Sequence, residues 1–144
     1  MGEKTFILIK PDHIHVAEEI LNHLDKHGSR ILSGKVDSVS KEVIEEHYAV
    51  HKEKHFFNHM TRSFIGKPVV LAVYEGENII QKFIEIIGPT EPCKAPAHTL
   101  RGKYSDDSIE KAEAEKRTVM NVVHRSDSQE EADREIKVWK EHFD

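Results

Sequence analysis

Lys10, Thr90 and Arg101 are residue types that gather a polyanion. Lys10 ends the apolar run Thr5 to Ile9 and is followed by Pro11-Asp12, Thr90 follows Gly88-Pro89, and Arg101 precedes Gly102. Loop positions can aim an ammonium, a hydroxyl and a guanidinium at one point, and charge-assisted hydrogen bonds of that kind suit phosphate. His124 is the second chemical candidate. It closes the run Val119 to Val123 and leads into Arg125-Ser126-Asp127-Ser128, and a neutral imidazole between a strand end and a helix start can attack phosphorus beside anion-favouring amides. The third candidate is a metal. His47, His51, His55 and His59 recur every fourth residue, as do His23 and His27, and two histidines so spaced on one helix face can share zinc or nickel. Lys52 and Lys54 oppose a cation there, and no His-Glu-x-x-His or partnering cysteine is present, so a solvated face and no protein-held metal are expected. Taken singly, Lys10, Thr90, Arg101 and His124 are equally met by ordinary solvated or structural side chains.

Positioning these groups requires a particular order of elements. Thr5 to Ile9 has the length and composition of a central strand covered on both faces, ended by Pro11. Val16, Ile20, Leu21 and Leu24 follow at helical spacing up to Gly28. Residues 30 to 39 predict a second strand whose alternation is broken by adjacent Ile31 and Leu32. Ser40 caps a helix through Val43, Ile44 and His47, continuing towards Phe56, Phe57 and Phe64. Pro68 to Tyr74 is the third strand, and Glu77 to Ile87 a helix with one apolar stripe including Phe83 and Ile84. Residues 88 to 118 are expected to form a long loop, and a loop of that length in a compact domain commonly serves a site. Val119 to His124 is the fourth strand, and Ser128 with Glu131 forms a capping box for a last helix carrying Ala132, Ile136 and Trp139. This order predicts an α+β fold, a ferredoxin-like four-stranded antiparallel sheet with helices packed on it, provided that the helix between the second and third strands is an addition.

Composition narrows the function classes. A chain of 144 residues, 38% hydrophobic and 33% charged, fits one globular domain spanning residues 1 to 144. A formal charge of −5 argues against nucleic-acid binding by phosphate neutralisation. No apolar run approaches the roughly 20 residues that cross a bilayer, and the opening Met1-Gly2-Glu3-Lys4 resembles no signal peptide. The single cysteine, Cys93, excludes an intramolecular disulfide and points to a reducing, cytoplasmic compartment. Eleven histidines make the net charge strongly dependent on pH between 6 and 7.

Several segments converge on one family. Thr5 to Asp12, Glu46-His47-Tyr48, Phe56-Phe57, Gly66 to Val70, Gly88-Pro89-Thr90-Glu91-Pro92, Thr99-Leu100-Arg101-Gly102, Asn121 to Ser128 and Glu135 to Trp139 together resemble nucleoside diphosphate kinases, in order along nearly the whole chain. The resemblance implies a ping-pong transfer in which His124 takes the γ-phosphoryl of a nucleoside triphosphate and passes it to a nucleoside diphosphate. It further implies that Lys10 and Asn121 hold the sugar hydroxyl end and that Tyr48 borders the histidine. Thr90 and Arg101 would hold phosphate oxygens with Mg2+ carried in by the nucleotide, and Ser126 and Glu135 would support His124. Phe56 would stack on the base, with Met60 at the rim and Thr118 opposite. Assembly into tetramers or hexamers is implied as well.

Three departures from the family pattern stand out. Ile84 occupies the place of a phosphate-binding arginine, a loss worth about 1.5–3 kcal/mol, for which Lys82, Lys94 or Arg125 are the available cations. Arg125 replaces the small residue usual after the histidine, and strand alternation aims it away from His124. The stretch after Asp12 is short, whereas the 102–118 segment is long and predicts a solvated loop or short helix near the nucleotide entrance. The second and third readings are therefore a nucleotide-binding protein of this fold with little turnover, and a metal-binding histidine run. Strict alternation would also put Asn121 and His124 on opposite faces, so the chain must twist near Val122.

Overall fold

The computed structural model describes residues 2–144. Strand β1 (Glu3–Ile9) contains Phe6, Ile7, Leu8 and Ile9, all without accessible surface. That follows from its central place. It pairs antiparallel with β3 (Val69–Gly76) on one edge and with β4 (Val123–Arg125) on the other, and β3 pairs antiparallel with β2 (Ser29–Val36). The resulting order β2-β3-β1-β4 is the expected ferredoxin-like one. Alternation along β1 divides the core in two. Ile7 and Ile9 face α1 (Ala17–Leu24) and α4 (Ile79–Ile87), meeting Ile20, Leu24 and Phe83. Phe6 and Leu8 face the other side, where Ile44 of α2 (Lys41–His47), Met60 of α3 (Phe57–Arg62) and Trp139 after α7 (Gln129–Val138) pack. The α2–α3 insertion thus covers the face that a minimal ferredoxin-like unit leaves bare.

The boundaries differ from the expected ones for identifiable reasons. A register shift between Arg30 and Leu32 absorbs the broken alternation in β2 and leaves Ile31 and Leu32 exposed on this edge strand. The helix begun at Ser40, whose hydroxyl accepts from the Val43 amide, stops at His47, and a separate turn at Ala49–His51 precedes α3. The four regularly spaced histidines therefore do not share one helix face. α4 begins at Ile79 and not at Glu77, because Asn78 adopts a left-handed conformation. The 88–118 stretch is not a structureless loop: it contains α5 (Leu100–Tyr104) and α6 (Ile109–Glu115), capped by the Thr99 and Ser108 hydroxyls. Ser128 caps α7 by accepting from the Glu131 amide. No helix among the described residues is long and apolar enough to cross a membrane.

Candidate active site

The fourth strand is shorter than its apolar run suggests, and the difference builds the site. Val122 has φ +78°, and the Val123 amide donates across it to the Asn121 carbonyl at 2.8 Å, closing a γ-turn. A buried β-branched residue in that region costs on the order of 1–3 kcal/mol and is held only by its surroundings. Here the Val122 amide donates to Asp12 Oδ2 (3.2 Å) and its carbonyl accepts from the Lys10 amide (2.9 Å). The turn cancels one step of alternation, so Asn121 and His124 line the same cleft and the expected twist is accounted for.

His124 is gripped from behind. Its Nε2 is buried and lies 3.0 Å from Glu135 Oε2, at ion-pair distance but out of line for a hydrogen bond. The other carboxylate oxygen accepts from Ser126 Oγ at 2.7 Å, and Ser126 Oγ in turn accepts from the Phe6 amide at 3.1 Å. Burial alone would raise the Glu135 pKa, but the adjacent His124 and its other partners prevail and hold it near 2, so the carboxylate is charged at neutral pH. With Nε2 facing this anion, Nδ1 is the nitrogen left to the cleft. His47, which the sequence offers only as one of the regularly spaced histidines and as part of a motif, packs against His124. It is buried 4.6 Å from the His124 ring, centroid to centroid, and its Nδ1 accepts from Trp139 Nε1 at 3.0 Å. Burial pushes its pKa well below the usual histidine value, so it is neutral, and the Trp139 bond leaves its proton on Nε2. His47, His124 and Glu135 each bring one potential ligand atom within 4.8 Å of the others. With that tautomer His47 has no lone pair left for a metal.

The cleft has a volume of about 540 Å³ and a chemically mixed lining. Lys10, Thr90, Arg101, Asn121, Tyr48 and His124 bring polar and charged groups to it, Phe56 and Met60 bring apolar ones, and Thr118 and α6 line it as well. The Thr118 amide donates to Ser63 Oγ at 2.9 Å, tying this wall to α3. Asp107 anchors the base of α6: Arg117 donates to both its oxygens at 2.7 and 3.0 Å and the Met120 amide donates at 2.7 Å. The Arg117 guanidinium holds the Asp107 carboxyl near 2. Asn121 Nδ2 donates to the Thr90 carbonyl at 3.0 Å, leaving its buried Oδ1 with no partner among the described residues. Arg101 donates to the carbonyls of Asn121, Gly88 and Val123 at 3.1, 2.9 and 2.9 Å. It reaches them because a Cβ at residue 102 would sit 2.1 Å from the Pro96 carbonyl oxygen, so only glycine lets α5 approach. Burial pushes Arg101 down to about 10, still protonated at neutral pH. A larger hollow of about 670 Å³ between α1 and residues 97–104 contains none of these groups.

Two expectations are corrected here. The histidine run is not one solvated face: His47 is buried in the core, and His51, His55 and His59 line the cleft, where His55 and His59 lie 2.7 and 3.5 Å from the Glu113 carboxylate of α6. Arg125 is not directed away from the site, since its side chain lines the same cleft as His124. Ile84 packs against the α1–α4 core and offers no cation, and Lys82 and Lys94 are not in the cleft lining.

Lys10 yields a test of the cleft's electrostatics. Its side chain is buried, with Nζ donating to the Val119 carbonyl at 3.2 Å, and burial lowers its pKa to about 8, with Arg101 acting in the same direction and Asp12 opposing. If the ammonium meets an anionic ligand, affinity for ADP is expected to fall as pH rises above 8, by up to about tenfold per unit. Over the same range the free protein gains stability, because the unfolded chain then binds the proton more tightly. Calorimetric titrations at pH 7, 8 and 9 check this, and Lys10→Arg should flatten the dependence.

Comparison with known proteins agrees with this geometry. The family model described as nucleoside diphosphate kinase matches residues 3–144. Among curated relatives, a nucleoside diphosphate kinase of Pyrococcus abyssi is 39% identical over 139 residues, covering 95% of this chain and 83% of that one. One from Brevibacillus brevis is 36% identical over 139 residues, covering 95% and 88%. Among solved structures, an NDP kinase from Pyrobaculum aerophilum superimposes with a TM-score of 0.86 at 28% identity, covering 99% of this chain and 98% of that one.

Proposed function

This chain belongs to the nucleoside diphosphate kinase family, and we propose that it transfers the terminal phosphoryl group of a nucleoside triphosphate to a nucleoside diphosphate through a phosphohistidine at His124. The observation that carries the assignment to His124 is the pairing of its Nε2 with the charged, buried Glu135 at 3.0 Å. That pairing keeps the proton on Nε2 and leaves the Nδ1 lone pair towards the cleft. Nδ1 attacks the γ-phosphorus in line, the bond from phosphorus to the bridging oxygen breaks, and the nucleoside diphosphate leaves. As the phosphoramidate forms, the imidazolium charge is balanced by Glu135. A second nucleoside diphosphate then attacks the same phosphorus in reverse. Such a transfer needs positioning and charge neutralisation more than covalent help.

The unpartnered Asn121 Oδ1 and the Lys10 ammonium receive the sugar hydroxyls, Thr90 and Arg101 the phosphate oxygens, and Phe56 the face of the base, with Met60 at the rim and Thr118 opposite Phe56. A stacked base read by few hydrogen bonds suits broad nucleotide use. Lys10, Arg101, Arg117 and Arg125 line the cleft with two carboxylates, Glu113 and Asp127, which leaves it cationic. That donor set suits Mg2+ carried on phosphate oxygens and water, not an ion caged by protein carboxylates. When bound, the ion neutralises charge developing on the phosphates. The single cysteine fits a cytoplasmic site of action. Incubation with γ-labelled ATP is expected to leave an acid-labile, alkali-stable label on His124 that added GDP removes. A folded wild type that never takes label would refute the assignment.

Self-association belongs to the same reading. Ile31 and Leu32 are 40% and 37% exposed on the edge strand β2, a combination that chains commonly cover by pairing with another copy. Sedimentation equilibrium is expected to give a multiple of 16.6 kDa, and Leu32→Glu to shift it towards the monomer. A monomeric wild type would remove this part of the proposal.

A further inference from the structure

Among the cations lining the cleft, Arg125 is the one that keeps a buried side-chain nitrogen without a partner among the described residues. Each of the three guanidinium nitrogens of Arg101 donates to a backbone carbonyl, and Lys10 Nζ donates to Val119. Arg125 has only 11% of its side chain exposed, yet its Nε is buried with no hydrogen-bond partner among the described residues. Its Nη2 lies 3.5 Å from the Gly88 carbonyl, the same oxygen that accepts from Arg101 Nη1 at 2.9 Å. Two guanidinium groups therefore converge on one carbonyl, two residues before Thr90 and next to His124. Like charges that close repel unless an anion lies between or beside them. The carboxylate paired with Arg125 is Asp127, at 2.5 Å from Nη1 and itself 79% exposed, so it can swing away into water.

Arg125 is paired with Ile7 on the α4 side of the sheet, opposite His124, and β4 is an edge strand only three residues long. Its guanidinium nonetheless reaches to 3.5 Å from the Gly88 carbonyl, and the residue lines the cleft.

We infer that Arg125 is a second phosphate-binding cation of this cleft, which releases Asp127 and closes with Arg101 on the nucleotide phosphates beyond the first. The inference rests on the nucleotide reading of the cleft and deepens it by choosing, among the three available cations, the one that strand alternation points away from the site. Binding is read without turnover, so it does not depend on phosphorylation of His124. Isothermal titration of the wild-type protein, Arg125→Gln and Arg125→Lys with ADP and with AMP provides the test, with melting temperatures recorded alongside. Arg125→Gln is expected to weaken ADP by tenfold or more and AMP by less than threefold, since AMP lacks the outer phosphate, and Arg125→Lys should fall between. Asp127→Asn is expected to tighten ADP severalfold in the wild-type background and to do nothing once Arg125 is Gln. Equal weakening of ADP and AMP, or no weakening of ADP in a folded Arg125→Gln protein, would overturn the inference. A wild type that takes up no ADP would overturn the nucleotide reading itself.

Discussion

Replacing His124 with alanine is expected to lower phosphotransfer by about four orders of magnitude or more while leaving nucleotide binding nearly intact. The size follows from the chemistry: a covalent carrier has no substitute in the cleft, and removal of a nucleophile typically costs 10⁴- to 10⁶-fold. His47 is the nearest other imidazole, but it is buried, its Nδ1 is engaged by Trp139 and its Nε2 carries the proton, so it offers no lone pair to phosphorus. The binding groups, from Asn121 Oδ1 to the Phe56 ring, do not depend on the His124 side chain for their positions. Rapid-quench measurement of label transfer from ATP to GDP, together with ADP titration, checks both halves. Residual transfer within a hundredfold of wild type would place the carrier elsewhere.

The second large effect is expected at Arg101. Its guanidinium ties the exit of α4 at Gly88 to the γ-turn and the start of the histidine strand at Asn121 and Val123, two segments distant in sequence. Arg101→Ala removes a hydrogen bond from each of three carbonyls and leaves a strained turn without its clamp, a loss of about 3 kcal/mol in stability. Activity should fall further than stability requires, by two to three orders of magnitude in kcat/KM, because Asn121, Thr90 and His124 lose their common reference and a phosphate loses a charge-assisted contact. Arg101→Lys restores the charge but not the fork, so it should recover only a small part of either quantity. Thermal melting combined with steady-state kinetics separates the two effects. A variant that melts like wild type and keeps a tenth of its activity would show that the clamp is dispensable.

Glu135 and Asp107 link the same architecture to acid stability. Both carboxyls are held near 2, well below their unfolded values, so the stability they contribute is complete above about pH 4.5 and is lost as pH falls towards 2. The two carboxylates face different groups: Glu135 lies against His124, and Asp107 holds Arg117 and the Met120 amide at the wall of the cleft.

Much of this was legible in the residues alone. Thr5 to Ile9 could only be a central strand, since so apolar a run needs cover on both faces. Ser40 and Ser128 marked their helices because a hydroxyl there satisfies an otherwise orphaned amide. The motif from Asn121 to Ser128, with the others in order, determined the family. These signals are local: short-range sterics and hydrogen bonding impose them whatever the rest of the chain does. Tertiary structure alone decided the remainder. The γ-turn at Val122, which turns Asn121 and His124 to one side, exists because Asp12 and Lys10 hold it from another part of the chain. The second helix in residues 88–118, the burial of His47 against Trp139, and the approach of the Arg125 guanidinium to the Gly88 carbonyl also depend on neighbours distant in sequence. Periodicity describes a residue relative to its own element; whether that element stops short is settled by what packs against it.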